Sequence, residues 1–167
     1  MCCPSDLVFN VIVMKVLGIR NYYDGVRFCI LEGEASNISC LNLNKENRIL
    51  FPKGIHENDL LIWYKDEIDR LFDIYGIFDR VAIKHNENTR SDSYSSLKKI
   101  LFLDCIVTLE AVERKIPINS YAYNQIGVNS KNVLEKAESL VGKAQKYWDI
   151  RMADAIIVGF KEFEDGI

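Results

Sequence analysis

From residue 14 onward, short apolar runs alternate with longer stretches whose apolar residues recur every three or four positions. That alternation marks strands interleaved with helices. Residues 16–20 form a run rich in branched side chains, ended by Asn21, Tyr22, Tyr23, Asp24 and Gly25. Asp24-Gly25 is a tight-turn signal and residues 26–31 resume strand-like character, so a hairpin is expected. Residues 38–43 suit a third antiparallel strand, and a polar stretch over 44–58 with Pro52 and Gly54 follows. Asp59 can cap a helix in which Ile62, Ile68, Leu71, Phe72 and Tyr75 repeat near the 3.6 period, with Gly76 ending it. Residues 81–83 read as a buried strand.

The polar segment 85–94 reads as a loop or flap. Residues 97–112 are apolar on most sides of a helix (Leu97, Ile100, Leu101, Cys105, Ile106, Leu109, Val112), which places that helix in the middle of a domain. Residues 117–123 suit a further strand. A helix starts near Ser130 and runs through Val133, Leu134, Ala137, Leu140 and Val141. The last helix covers 150–163, with Met152, Ile156, Gly159, Phe160 and Phe163 on one face. The sum is an α/β protein with a five-stranded mixed sheet flanked by helices. Three strands are antiparallel, and right-handed crossovers make the last two parallel to the first.

The 167 residues suit one domain, read as 14–167, with 1–13 as an amino-terminal extension. With 49% hydrophobic residues, wholesale disorder is excluded. The 24 acidic residues outnumber 21 basic ones, so any contact with a polyanion must come from a local patch. The longest apolar run, 7–19, is broken by Asn10 and Lys15 and falls short of a membrane span, and it lacks the flanks of a signal peptide. Cys2, Cys3, Cys29, Cys40 and Cys105 form no C-x-x-C pair and have only His56 and His85 to supplement them. A reduced thiol set, hence a cytoplasmic protein without a membrane partner, is the reading.

Four segments carry a resemblance. Val16-Leu17-Gly18-Ile19-Arg20 with its hairpin is similar to the first strand of RuvC-type Holliday-junction resolvases, and Arg80-Val81-Ala82-Ile83-Lys84 to their fourth strand. Gly127-Val128-Asn129-Ser130-Lys131 resembles the segment opening their penultimate helix. Residues 152–159, with Ala153-Asp154-Ala155, resemble their final helix. The order and spacing cover nearly all of 14–163, and small bacterial proteins of unassigned function share the likeness. The resemblance implies a ribonuclease H-like fold. It also implies two divalent ions held by four carboxylates, one on the first strand, one on the fourth and two on the last helix.

Here those positions are Arg20, Lys84, Arg151 and Asp154, so Asp154 alone keeps the family carboxylate. Magnesium and manganese take oxygen ligands, and cations cannot supply them. Each close cation would oppose metal entry by roughly 4 kcal/mol per unit pair at a dielectric of about 20. The four residues are expected either as a salt-bridge cluster or as an anion pocket, with Arg151 and Asp154 sharing a helix face close enough to pair. Lys131 matches a lysine that contacts the nucleic-acid backbone in resolvases. Tyr121, Tyr123, Tyr147 and Trp148 lie nearby in sequence as stacking groups. Asp149 is expected to cap the last helix, Glu110 to pair with Arg114, and Asp104 to reach solvent or a backbone donor.

Three functions follow, in order of preference. The first is a degenerate protein that has lost two-metal hydrolysis and binds nucleic acid or another protein, needing no cofactor. The second is a divergent endonuclease for branched or single-stranded nucleic acid, using Mg2+ or Mn2+ at a rearranged carboxylate site. The third is a structural homodimer subunit. Whether the chain is an enzyme stays open, with the preference against.

Overall fold

The computed structural model describes residues 12–87 and 93–167. Residues 1–11 of the expected extension, with Cys2 and Cys3, and residues 88–92 of the expected 85–94 loop lie outside the described residues. The chain opens with the expected hairpin, β1 (Met14–Tyr22) and β2 (Gly25–Glu34), paired antiparallel from Met14↔Gly33 to Tyr22↔Gly25. β3 (Asn37–Cys40) adds antiparallel to β2. A strand not foreseen, β4 (Arg48–Leu50), lies inside the polar stretch and also pairs with β2, so the sheet has six strands. Three residues are too few to display a period of two.

The chain then runs through α1 (Glu57–Tyr75), β5 (Arg80–Lys84), α2 (Tyr94–Glu113) and β6 (Ile118–Tyr121). A short turn of helix, α3 (Tyr123–Ile126), precedes α4 (Val133–Val141) and α5 (Ile150–Asp165). The sheet order is β3-β2-β1-β5-β6, with β5 parallel to β1 and β6 parallel to β5. Helices cover both faces, giving the mixed α/β architecture that the element order implies.

Because successive strand residues point to opposite faces, the sheet builds two cores. Leu17, Ile19, Val26, Phe28, Ile30, Val81 and Ile83 pack against Tyr64, Ile68 and Leu71 of α1 and Leu103, Val107 and Ala111 of α2. On the other face, Val16, Cys29 and Leu31 meet Val133 and Ala137 of α4 and Met152, Ala153, Ala155 and Ile156 of α5. Two helix expectations need correction. α1 begins with His56 as its N-cap rather than Asp59, and Asp59 contributes a favourable charge to the first turn. Its buried stripe is Leu60, Tyr64, Ile68, Leu71 and Phe72, so Ile62, two residues off that stripe, faces solvent.

α2 is not enclosed in the domain. It buries Ile100, Leu103, Val107 and Ala111, while Leu101 and Leu109 are 60% exposed and Phe102 and Val112 also face outward. Glu110 pairs with Arg114 as expected. Gly18 fixes how closely α5 approaches β1: a Cβ there would sit 2.1 Å from the Ala155 carbonyl oxygen and 2.9 Å from Cys29 Sγ. Gly18→Ala must push the helix off the sheet, and overpacking of this kind costs about 3 kcal/mol. The expected result is a lower urea midpoint with an unchanged slope, and an unchanged midpoint would show that α5 is not clamped there.

Candidate functional site

Arg20 and Lys84 stand side by side at the carboxyl ends of the parallel pair β1 and β5, one step beyond the Ile19↔Ile83 register match. Residue parity decides where they point. Val16, Gly18 and Arg20 belong to the face covered by α5, whereas Leu17, Ile19 and Asn21 belong to the other. In α5, Asp154 lies one turn past the helix start and faces the sheet with its side chain 2% exposed.

These three residues meet. Arg20 Nε lies 3.2 Å from Asp154 Oδ2, an ion-pair contact without the alignment of a hydrogen bond. Arg20 Nη1 donates to the Lys84 carbonyl at 3.2 Å, and Nη2 donates to Asn86 Oδ1 at 3.0 Å. Tyr123 Oη donates to the other Asp154 oxygen at 2.7 Å. Lys84 is 1% exposed. Its ammonium donates to Glu87 Oε2 at 2.7 Å and to the His85 carbonyl at 2.9 Å, and sits 3.9 Å from the centroid of the Tyr123 ring. Burial pushes the Lys84 ammonium down from its ordinary range, with the Glu87 hydrogen bond opposing. Burial also raises the Asp154 carboxyl, against the charge of Arg20.

Arg151 does not pair with Asp154. Its guanidinium lies 4.0 Å from the centroid of the Tyr22 ring and 5.6 Å from that of Tyr23, with Asp24 Oδ1 at 4.0 Å. The helix spacing was right, but the hairpin supplies nearer partners. Asp149 caps α5 through the Met152 N–H at 2.9 Å, as expected, and also takes a forked hydrogen bond from Arg27 at 3.2 and 2.6 Å. Lys131 is exposed in the turn before α4, where its backbone N–H donates to Asn129 Oδ1; its bonds among the described residues do not join it to the cluster. Tyr121 and Tyr123 are not open stacking platforms. Tyr121 donates to Glu162 at 2.5 Å and Tyr123 is held by Asp154.

Several participants escaped sequence reasoning. Glu87 had a usable signal, since an acid three residues after Lys84 can reach back to it. Tyr123 was expected as a stacking group and not as a donor to Asp154, and Asn86 had no signal. Behind the cluster, on the opposite face, Asn21 donates to Asp104 Oδ1 at 2.7 Å and accepts from Tyr64 at 2.5 Å. Asp104 therefore meets a buried side chain rather than solvent. Burial raises its carboxyl to about 6, opposed by the Asn21 hydrogen bond and by the charges of Arg20 and Lys84.

No family model matches the sequence, and no curated protein sequence matches it. Solved structures do match in shape. The chain is similar to RuvC of T. thermophilus in complex with Holliday junction substrate, with a TM-score of 0.71 over 87% of this chain and 90% of that one, at 13% identity. The Thermus thermophilus RuvC structure gives 0.68 over 87% and 91%, at 13% identity. This chain has a RuvC-like ribonuclease H fold. The yeast mitochondrial Holliday junction resolvase Ydc2 shares it at a TM-score of 0.53, with 12% identity over 87% of this chain and 77% of that one.

The pair of divalent ions implied by the RuvC likeness does not fit the residues present. At two of the positions where the resemblance implies carboxylates, Arg20 and Lys84 present a guanidinium and an ammonium, which cannot ligate a metal, and Asp154 is engaged by Arg20 and Tyr123. Among the described residues, no group of three or more His, Cys, Asp and Glu side chains is placed to hold a metal.

The Asp104 carboxyl gives a pH signature. Unfolded, it loses its proton near pH 3.8, and folded it keeps the proton up to about 6. Between these values the folded state holds the extra proton, so this group's contribution to stability falls as pH rises, and is constant above the window. Asp104→Asn keeps an acceptor for Asn21 and removes the charge. It is expected to stabilise the protein by roughly 2–3 kcal/mol at pH 7 and by almost nothing at pH 3.5. Urea midpoints of both proteins at the two pH values check this, and an equal gain at both would sink it.

Proposed function

We propose that this chain is a RuvC-fold binding protein for nucleic acid that does not cleave phosphodiesters by the two-metal route. The observation that carries the reading is the mutual neutralisation of Arg20 with Asp154 and of Lys84 with Glu87. Hydrolysis through two ions requires carboxylates that are free to ligate and a region of negative potential to draw the ions in. This cluster offers neither.

The same pairing makes Arg20 and Lys84 poor anion binders, since each is buried and already matched. Of the two readings left open by the sequence, the geometry favours structural ion pairs at these residues. Ligand contact then falls to the rim, where Arg151 lies over Tyr22 and beside the exposed Tyr23. A guanidinium next to an open aromatic face suits a phosphate and an unstacked base. The RuvC structure that this fold resembles was solved with a Holliday junction substrate, which supports a branched nucleic acid as the first ligand to try.

The test is one panel on one preparation. Four-way junction and single-stranded DNA are expected to remain intact with magnesium or manganese, and to bind with an affinity that falls steeply with salt. Arg151→Ala and Tyr23→Ala are each expected to weaken binding about fivefold. Metal-dependent cleavage lost in Asp154→Asn would establish the endonuclease reading instead, and absence of binding at low salt would refute the proposal.

The outward face of α2 supports a second reading, a homodimer subunit. Leu101, Phe102, Leu109 and Val112 present apolar surface on a long helix, and such surface is unusual on a monomer when contiguous. Light scattering is expected to give twice the monomer mass, and Leu109→Glu to restore the monomer. A monomeric wild-type protein at high micromolar concentration would remove this reading.

A further inference from the structure

Arg20, Arg27 and Arg48 lie directly opposite one another across β1, β2 and β4, through the register matches Arg20↔Arg27 and Arg27↔Arg48. With Lys84 beside Arg20, the result is a row of four cations across four strands. Like charges facing each other across strands repel, so each needs compensation. Lys84 has Glu87, Arg20 has Asp154 and Arg27 has Asp149. Arg48 has no carboxylate among the described residues, and its guanidinium lies 3.3 Å from the centroid of the Tyr147 ring.

At that end of the row, cations alternate with tyrosines. The Tyr147 ring that Arg48 covers is also 5.8 Å from the Arg27 guanidinium, and Arg27 is 5.9 Å from the Tyr22 ring. Tyr22 in turn takes Arg151 at 4.0 Å, and Arg151 reaches Tyr23 at 5.6 Å. Every step lies within the roughly 6 Å over which a cation and a ring attract. The fold assembles this ladder from three places. Strand parity puts Tyr22 on the face of Arg20. The fork from Arg27 to Asp149 draws the start of α5 onto β2, and Tyr147 and Arg151 lie two residues to either side of Asp149.

The ladder is closed in the middle and open at both ends. Tyr22 and Arg27 are buried, so they join the ends and touch no ligand. Tyr23 is 54% exposed and Tyr147 45%, with Arg151 and Arg48 half-buried beside them. Charge is left over as well. Among the described residues, Arg27, Arg48 and Arg151 meet two carboxylates, and the exposed Asp24 stands off from Arg151 at 4.0 Å. Arg151 also sits in the first turn of α5, where the macrodipole disfavours a cation. Tyr147 holds φ at 60°, a left-handed conformation that is uncommon for a bulky residue and collects at ligand sites.

Each end therefore presents the same pair, an open tyrosine ring and a guanidinium whose charge is incompletely matched. A ring stacks on the face of a base, and a guanidinium takes a phosphate. Base faces are free only in unpaired nucleotides, because a duplex covers each face with the next pair. We propose that a single-stranded segment of nucleic acid crosses both ends of this ladder, stacking one base on Tyr23 and another on Tyr147, with its phosphates on Arg151 and Arg48. This rests on the nucleic-acid reading above and extends it, from the Arg151 rim to a second contact and from nucleic acid at large to unpaired nucleotides. A free strand and unpaired nucleotides within a duplex present the same chemistry.

The experiment follows the anisotropy of labelled DNA titrated with the full chain at low salt. The probes are a dodecamer of deoxyadenosine, the same dodecamer paired with its complement, a duplex with a bulge of unpaired deoxyadenosines, and an abasic dodecamer. The dodecamer, the bulged duplex or both are expected to bind at least tenfold more tightly than the paired duplex. The abasic strand, which keeps the phosphates, is expected to bind at least tenfold more weakly than the tighter of those two. Tyr23→Ala and Tyr147→Ala are each expected to weaken that binding at least fivefold, and together by the product of the two losses. Tyr147→Phe, which keeps the ring, recovers most of the loss. Binding of the dodecamer identifies a free strand as sufficient, and binding of the bulged duplex alone identifies unpaired nucleotides within a duplex; both sustain the proposal. Equal affinity for paired and unpaired DNA, equal affinity for the abasic strand, or a loss in Tyr23→Ala with none in Tyr147→Ala would overturn it and leave the function proposed above standing. No binding of any probe would refute both.

Discussion

The contact on which the molecule turns is the ion pair between Arg20 of β1 and Asp154 of α5, because it sets a full charge of each sign between the sheet and the helix that covers it. Removing such charges from water costs several kcal/mol per ion, which the attraction between them alone does not guarantee to return. The surroundings supply the rest. Arg20 spends its two terminal nitrogens on the Lys84 carbonyl and Asn86, and Asp154 takes a hydroxyl from Tyr123. The approach of the helix is set by Gly18 against Ala155, one pleat earlier on the same face. Sequence, packing distance and electrostatics are thus one constraint here: without a glycine at 18, Asp154 would stand too far from Arg20 to neutralise it.

This pair is the middle one of three along α5. Arg27 of β2 takes Asp149 at the helix start, and Arg80 of β5 takes the fully buried Glu162 near its end at 2.8 Å. Glu162 is also reached by Asn119 and Tyr121 of β6. Three strands therefore hold one helix by three arginine–carboxylate pairs, at its N-cap, its second turn and its last. The cluster at the strand ends is the central part of that clamp, which is why structural ion pairing explains Arg20 and Lys84 better than a vacant pocket for anions.

The order of elements was legible in the sequence because it rests on long signals: two strand-length apolar runs around Asp24-Gly25, the stripes of α1 and α5, and the run at 81–83. The gathering of Arg20, Lys84 and Asp154 was legible only through the resemblance to RuvC-type resolvases, and residue parity along β1 gives its physical reason in the fold. What failed did so for local reasons. The spacing of Arg151 and Asp154 describes one helix and is blind to Tyr22 and Asp24, which the hairpin delivers from elsewhere. Apolar residues on the outer face of α2 look the same in sequence as buried ones. Tyr121 and Tyr123, two residues apart, were read as open rings, but pattern does not reveal that each hydroxyl meets a carboxylate. β4 is shorter than any periodicity.

β4 also shows why chemistry beyond the resemblance had to be read from the fold. Its pairing with β2 extends the cation row past Arg27 to Arg48, and brings Asn47 to the Phe28 N–H, which donates to the Asn47 carbonyl at 3.1 Å. Compensation then declines along the row. Lys84, Arg20 and Arg27 each face a carboxylate, whereas among the described residues Arg48 faces only the Tyr147 ring. A ring attracts a guanidinium by its quadrupole but leaves the full positive charge in place. Charge balance is met by carboxylates at the Lys84 and Arg20 end of the row and leaves positive potential at the other end. An anionic ligand should therefore gain more at Arg48 than at Arg20.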